Sequence, residues 1–212
     1  MTHRAVVGTA EALRLAAWGA ARWAEADAPV LAELGCGAGD LSLALAQQLP
    51  RAHIDALEIQ SALAALARQR VQAAALAPRL RIVSGDVRRL PPEMTPGAYD
   101  GVLLNPPYFA AQAARPCADP TRDAARRELH GDLGDFLAAA RTLLKADGAG
   151  CIIIRWERRA ELLDRLQQVG LGARLLTPLQ GGGQKDPAPR WLQVEFSADK
   201  NVQMIINAGE IL

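Results

Sequence analysis

The chain is poor in aromatic residues, with three Phe, two Tyr and four Trp in 212 positions. Half of its residues are nonetheless hydrophobic, so its core must be large and mostly Ala, Leu and Val. Cysteine is scarce, odd in number and dispersed at Cys36, Cys117 and Cys151, with no Cys-x-x-Cys pair. With His3, His53 and His130 as its only imidazoles, the sequence argues against a metal site or a disulfide framework and for reduced thiols. Neither charge dominates: 24 Lys and Arg against 23 Asp and Glu leave a net +1. That balance argues against a wholly basic nucleic-acid module but leaves room for a local basic patch. There is no apolar run of about 18 residues and no signal-peptide core, so no membrane contact is expected and the expected location is cytoplasmic. The length suits one domain over 1–212, with a helical lead-in over 1–29 and a tail over 199–212.

What is present is an alternation of strand and helix patterns. Short apolar runs at 30–35, 53–59, 80–84 and 99–104 read as strands. The β-branched run Cys151–Ile154 reads as another, 173–178 and 191–197 as two more, and 202–206 as a short edge strand. Helices are expected over 40–48 with Asp40 as N-cap, over 61–76 before Pro78, and over 132–145 and 158–168. Loops are expected over 86–97, which is proline-rich, over 109–131, which is charged, and over the glycine-rich 180–187. Alternating βα units predict an α/β fold with a mostly parallel sheet and helices on both faces. Ligands in such sheets bind at the carboxyl ends of the strands.

Two motifs fall at those ends. Gly35-Cys36-Gly37-Ala38-Gly39 follows the first strand, and its glycines let the backbone turn sharply and approach a ligand. A dinucleotide fingerprint would place its third glycine at position 40, which is Asp40, and no P-loop pattern occurs. Glu58 closes the second strand, where a carboxylate can accept hydrogen bonds from both hydroxyls of a ribose. Gly85-Asp86-Val87 closes the third, and the Asp86 carboxylate there is suited to an adenine amino group. Asn105-Pro106-Pro107-Tyr108 closes the fourth. An amide or adenine amino nitrogen is a weak nucleophile because its lone pair is delocalised. The Asn105 side-chain oxygen and the Pro106 carbonyl can accept its two N–H groups and favour pyramidalisation. The paired prolines hold those acceptors ready, and Tyr108 offers a face for stacking. Beyond it, Arg115, Arg122, Arg126 and Arg127 form a candidate phosphate-binding patch that Lys185 and Arg190 extend.

Glu33-Leu34-Gly35-Cys36-Gly37-Ala38-Gly39 resembles the first motif of class I S-adenosylmethionine-dependent methyltransferases, and Glu58 and Gly85-Asp86 fall where their second and third motifs fall. The resemblance implies a Rossmann-like fold with a seven-stranded central sheet and S-adenosyl-L-methionine as cofactor. It implies that Glu33 and the Gly35–Gly39 backbone hold the methionine part, that Glu58 holds the ribose, that Ile59 and Val87 lie against the adenine, and that Asp86 takes its amino group. Asn-Pro-Pro-Tyr resembles the motif of enzymes that methylate adenine N6 and of enzymes that methylate glutamine side chains. Phe109 after Tyr108, the segment Pro120–Glu128 and Pro189-Arg190-Trp191 resemble the bacterial tRNA(Val) adenine-N6 methyltransferase family. That implies a tRNA substrate and no metal, with Tyr108 and Phe109 at the substrate. One departure is that only Met1–Val7 precede Gly8-Thr9, where the family carries a glycine-rich hairpin. Glutamine methylation of a release factor stays open as an alternative, although its enzymes carry an N-terminal helical domain and about 29 residues precede the first strand here. Methylation of adenine in DNA or ribosomal RNA stays open as well, as does a monomer or a homodimer.

Overall fold

The computed structural model describes residues 9–106, 131–180, 188–207 and 210–211. Five helices are described: α1 Ala10–Arg22, α2 Asp40–Gln48, α3 Ser61–Ala73, α4 Leu133–Leu143 and α5 Arg159–Gln168. Nine strands are described: β1 Val30–Leu34, β2 His53–Glu58, β3 Leu80–Ser84, β4 Tyr99–Leu104, β5 Leu144–Arg155, β6 Gly172–Gln180, β7 Trp191–Ser197, β8 Ile205–Ile206 and β9 Glu210–Ile211. They form one sheet in the order β3-β2-β1-β4-β5-β7-β6-β8, with β9 also on β6. Strands β1 to β5 pair in parallel, and β7 runs antiparallel to both β5 and β6. The expected mostly parallel, seven-stranded sheet is therefore there, extended by two strands of two residues each.

Several boundaries differ from expectation for local reasons. Gly39, at φ 83°, takes the N-cap position of α2 in place of Asp40, which is the first helical residue. Helix α3 stops at Ala73, and Ala75 turns left-handed at φ 56°. Helix α4 ends at Leu143 because Leu144 is already extended and pairs with Tyr99, which lengthens β5 well beyond Cys151–Ile154. Within 202–206 only Ile205–Ile206 pairs as a strand.

The central strands are buried on both faces. Leu31, Leu103 and Ile153 join a core beneath α1, α2 and α3, while Leu34, Leu104, Ile152 and Ile154 join a second core beneath α4 and α5. Each such side chain, fully withdrawn from water, contributes about 1.5–3 kcal/mol. The covering helices are cut to fit. Thr9 caps α1 by accepting the Ala12 N–H at 3.3 Å, and Ala12, Leu15, Ala16 and Gly19 make its buried stripe. A reciprocal capping box between Asp132 and Asp135 starts α4 and directs Leu133, Phe136, Leu137 and Ala140 inward. Gly101 on β4 seats the Trp23 ring: a Cβ there would stand 2.1 Å from Trp23 Cζ2.

Candidate functional site

Register places the predicted site residues in one row. Leu34 pairs with Leu57 on one side and Leu104 on the other, and Glu58 pairs with Ser84. The residues leaving these strands, Gly85, Ile59, Gly35 and Asn105, therefore share the carboxyl edge of the sheet. Between β1 and β4 the strand order reverses direction, which is where open α/β sheets form their ligand crevice.

The turn after β1 is built from backbone. Gly35, Gly37 and Gly39 adopt φ of 78°, 55° and 83°, all in the left-handed region. The Gly35 and Cys36 N–H groups both donate to the Leu57 carbonyl at 2.9 Å, which ties the turn to β2. A Cβ at Gly35 would approach Phe136 Cε1 to 3.2 Å, and one at Gly39 would lie 3.4 Å from the Cβ of Ala67. A Cβ at Gly37 would meet nothing within 4 Å. The loop is thus backed by α3 and α4 and open at its middle. The Cys36 side chain is buried, and burial pushes its thiol well above the ordinary range, so it behaves as packing rather than as a nucleophile.

Two buried carboxylates grip this turn. Glu33 accepts a hydrogen bond from the Ser42 hydroxyl and is further bound by the Ser42 backbone N–H. It therefore caps α2 from below, which accounts for the lack of a side-chain cap at Gly39. Burial raises its carboxyl to about 7, offset in part by the Ser42 hydrogen bonds. Glu58 Oε2 accepts the Gly37 N–H and Oε1 the Gln60 N–H, each at 2.8 Å. One carboxylate thereby fixes the glycine turn and the entry to α3. Each oxygen keeps a second acceptor site for a ligand hydroxyl.

Asp86 is engaged by its own turn. Its Oδ1 accepts the Arg88 N–H at 2.9 Å, and both oxygens accept from the Arg88 guanidinium, with Oδ2 taking Nη2 at 2.6 Å. Asp two residues before an N–H closes such a turn on its own backbone. The carboxylate is therefore turned onto Arg88. Ile59 is exposed at the mouth of the crevice, whereas Val87 is 8% exposed and packs with the core under α4. Gly85 is held close, since a Cβ there would come within 3.0 Å of Leu57 Cδ1 and Pro91 Cγ. Asn105 is half-buried and Pro106 buried immediately beyond β4. Pro107, Tyr108, Phe109, Arg115, Arg122, Arg126, Arg127 and Lys185 lie outside the described residues. Arg190 is described: it is exposed, its N–H bonds the Leu179 carbonyl, and its own carbonyl accepts the Trp156 N–H at 3.0 Å.

Sequence reasoning missed the supports. Arg70 on α3 donates to the Ala38 carbonyl at 2.7 Å and pairs with Asp40 Oδ1 at 2.7 Å, so it clamps the glycine turn and the first residue of α2 together. Phe136 backs Gly35, and Ser42 holds Glu33. None of these has a motif, and only helical spacing in α3, which sets Ala67 and Arg70 one turn apart, hints at the clamp. Among the described residues no cluster of three or more His, Cys, Asp or Glu is arranged to hold a metal, and no helix is long and apolar enough to cross a membrane.

The open Gly37 backbone, the spare acceptor sites of Glu58 and the exposed apolar Ile59 line one crevice, and Asn105 stands at its far side. Comparison with known proteins places the chain among methyltransferases. The family described as "Methyltransferase small domain" matches residues 23–169. A tRNA1(Val) (adenine(37)-N6)-methyltransferase of Yersinia pseudotuberculosis serotype O:3 (strain YPIII) is 34% identical over 139 residues, covering 65% of this chain and 54% of the relative. The match thus spans about half the length of that relative. Among solved structures, a predicted O-methyltransferase of Agrobacterium tumefaciens superposes with TM-score 0.72 at 20% identity, covering 95% of this chain and 86% of that one. The geranyl diphosphate C-methyltransferase of Streptomyces coelicolor A3(2), solved with S-adenosyl-L-homocysteine, superposes with TM-score 0.60 at 13% identity, covering 92% and 89%. At such identities the two structures establish the fold alone.

Proposed function

The chain belongs to the methyltransferase small-domain family and is an S-adenosylmethionine-dependent methyltransferase, and from that premise we propose that it methylates the exocyclic N6 of an adenine in tRNA, near the anticodon. The observation that carries this reading is the placement of Asn105 and Pro106 at the end of β4, directly beside the glycine turn of β1. When bound, the cofactor supplies a methyl group on a positively charged sulfur, already activated for transfer. The residues that hold it are the Gly35–Gly39 backbone, Glu58 at the ribose hydroxyls and Ile59 against the adenine. Glu33 acts from beneath, by fixing α2 and the turn.

The protein's own work at the acceptor is to place a weak nucleophile and make its lone pair available. The Asn105 side-chain oxygen accepts one amino N–H and the Pro106 carbonyl the other, which favours the pyramidal nitrogen of the transition state. Tyr108, and Phe109 after it, stack on the base once it is extruded. No strong base is needed, because the amino group becomes acidic as its positive charge develops and then releases its proton to water. The whole chain, 1–212, is read as one methyltransferase domain working on a cytoplasmic tRNA pool. The 34% identical relative supports adenine over glutamine.

Mass spectrometry of tRNA nucleosides tests the reading. Incubation of unmodified tRNA with enzyme and cofactor should yield N6-methyladenosine that is absent without enzyme. Transfer of label to a release factor, with tRNA left unlabelled, overturns it.

A further inference from the structure

Two of the four tryptophans, Trp156 and Trp191, stand at the carboxyl edge of the sheet, where the crevice opens. Each carries an arginine on its face. Arg155 Cζ lies 4.8 Å from the Trp191 ring centroid, and Arg159 Cζ lies 4.8 Å from that of Trp156. Trp191 packs against the core beneath α1 to α3 and Trp156 against the core beneath α4 and α5, so the two stacks flank the end of β5 on opposite faces of the sheet. Leu104 pairs with Ile152, which sets Asn105 level with Ile153 and Arg155 two residues further along the neighbouring strand. At about 3.3 Å per residue and about 4.8 Å between strands, that is roughly 8 Å of backbone separation. Arg190 joins the group through the Trp156 N–H bond to its carbonyl.

The charges here are cancelled only in part. Arg158 is taken up by Glu161 at 2.8 Å, and Arg155 has Glu157 at 3.5 Å. Arg159 and Arg190 form no ion pair with a carboxylate among the described residues. A guanidinium stacked on an indole has its plane fixed; Arg159 spends one N–H on the Trp156 carbonyl at 3.2 Å, and its remaining N–H groups suit a phosphate. Resting on the reading of tRNA as substrate, we propose that Arg155 on Trp191 and Arg159 on Trp156, with Arg190, form a phosphate clamp that grips the RNA backbone beside the extruded adenine. The clamp belongs to the β5 and β7 ends of the fold and is separate from the arginines that follow Phe109 in the sequence.

The test uses the full chain and unmodified tRNA, with wild type assayed first. Arg159→Gln and Arg190→Gln should each raise KM for tRNA about fivefold to tenfold, with the loss carried in KM and not in kcat. Each should also flatten the dependence of log Kd on log salt by about one. A third arginine–tryptophan pair supplies the control, because Arg22 sits 5.9 Å from the Trp23 ring at the opposite edge, beside Pro29 and Asp100. Arg22→Gln should leave tRNA KM and salt slope unchanged. An Arg159→Gln/Arg190→Gln double variant that keeps the wild-type KM for tRNA overturns the clamp while the tRNA reading stands. A drop no larger than that of Arg22→Gln overturns it as well, by making the effect one of overall charge. A wild type that labels release factor and not tRNA removes the reading itself, and the clamp with it.

Discussion

The two halves of the carboxyl edge are built by different means. At the ends of β1, β2 and β3 the proposed ligand surface is backbone, shaped by left-handed glycines and held by Glu33 and Glu58, which are 3% and 4% exposed. At the ends of β5 and β7 it is side chain, made of arginines on tryptophans with Arg159 and Arg190 in water. Asn105 stands between them. The difference suits the two proposed tasks. A small cofactor of fixed shape is suited by a rigid, preorganised cradle, whereas a long polyanion is suited by charges that act over distance and tolerate adjustment. Removing a support should therefore affect cofactor affinity or stability on the first side and acceptor kinetics on the second.

The largest expected effect lies at the boundary. Asn105→Ala should lower kcat by about 100-fold or more, the scale seen when one preorganised partner of a transition state is lost, while cofactor Kd measured by calorimetry stays near wild type. Loss of cofactor binding in that variant would move Asn105 to the cradle side.

Next is Glu33, and its signature is pH. Its carboxyl is raised in the folded protein to about 7, so the folded state holds that proton more tightly than the unfolded chain does. Its contribution to stability is complete below about pH 4.5 and drains away as pH rises through about 7. Glu33→Gln keeps the shape without the titration. Relative to wild type it should gain about 2–3 kcal/mol between pH 5 and pH 8 in urea unfolding. Parallel pH profiles for the two proteins would show that the carboxylate is not confined as the structure has it.

Arg70→Met removes the clamp on Ala38 and Asp40 but keeps an aliphatic stem. The loss of a charged hydrogen bond, about 1–2 kcal/mol, corresponds to a rise in cofactor Kd of roughly 5- to 30-fold with kcat retained at saturation. An unchanged Kd would make the glycine turn self-supporting. The smallest effect is expected from Arg88→Ala, which frees the Asp86 carboxylate on a half-exposed loop. Cofactor affinity should hold or improve by no more than about threefold, in keeping with the small worth of exposed pairs. A large loss would transfer the adenine-side role from Asp86 to Arg88.

The parts of the fold legible in advance were those written in short stretches. The apolar runs of β1 to β4 and the glycine turn were readable because period and left-handed φ are local properties. Helix α4 was overextended because Leu144 and Lys145 suit a helix as well as a strand, and only pairing with Tyr99 selects the strand. Asp40 was misplaced as a cap because Glu33, seven residues upstream, reaches the α2 terminus instead through Ser42. Asp86 is read correctly as a strand-end carboxylate but is turned onto Arg88, a local choice that composition does not reveal.

The class of fold and the residues at four of the strand ends follow from short stretches of sequence, because each rests on neighbours a few positions apart. What holds and surrounds them comes from contacts between distant segments. Arg70 reaches Ala38 across 32 positions, Phe136 comes to rest against Gly35, and Arg155 finds Trp191 through antiparallel pairing of β5 with β7. Such contacts depend on strand order and register, which are set by burial of the two faces of the sheet together and not by any single segment.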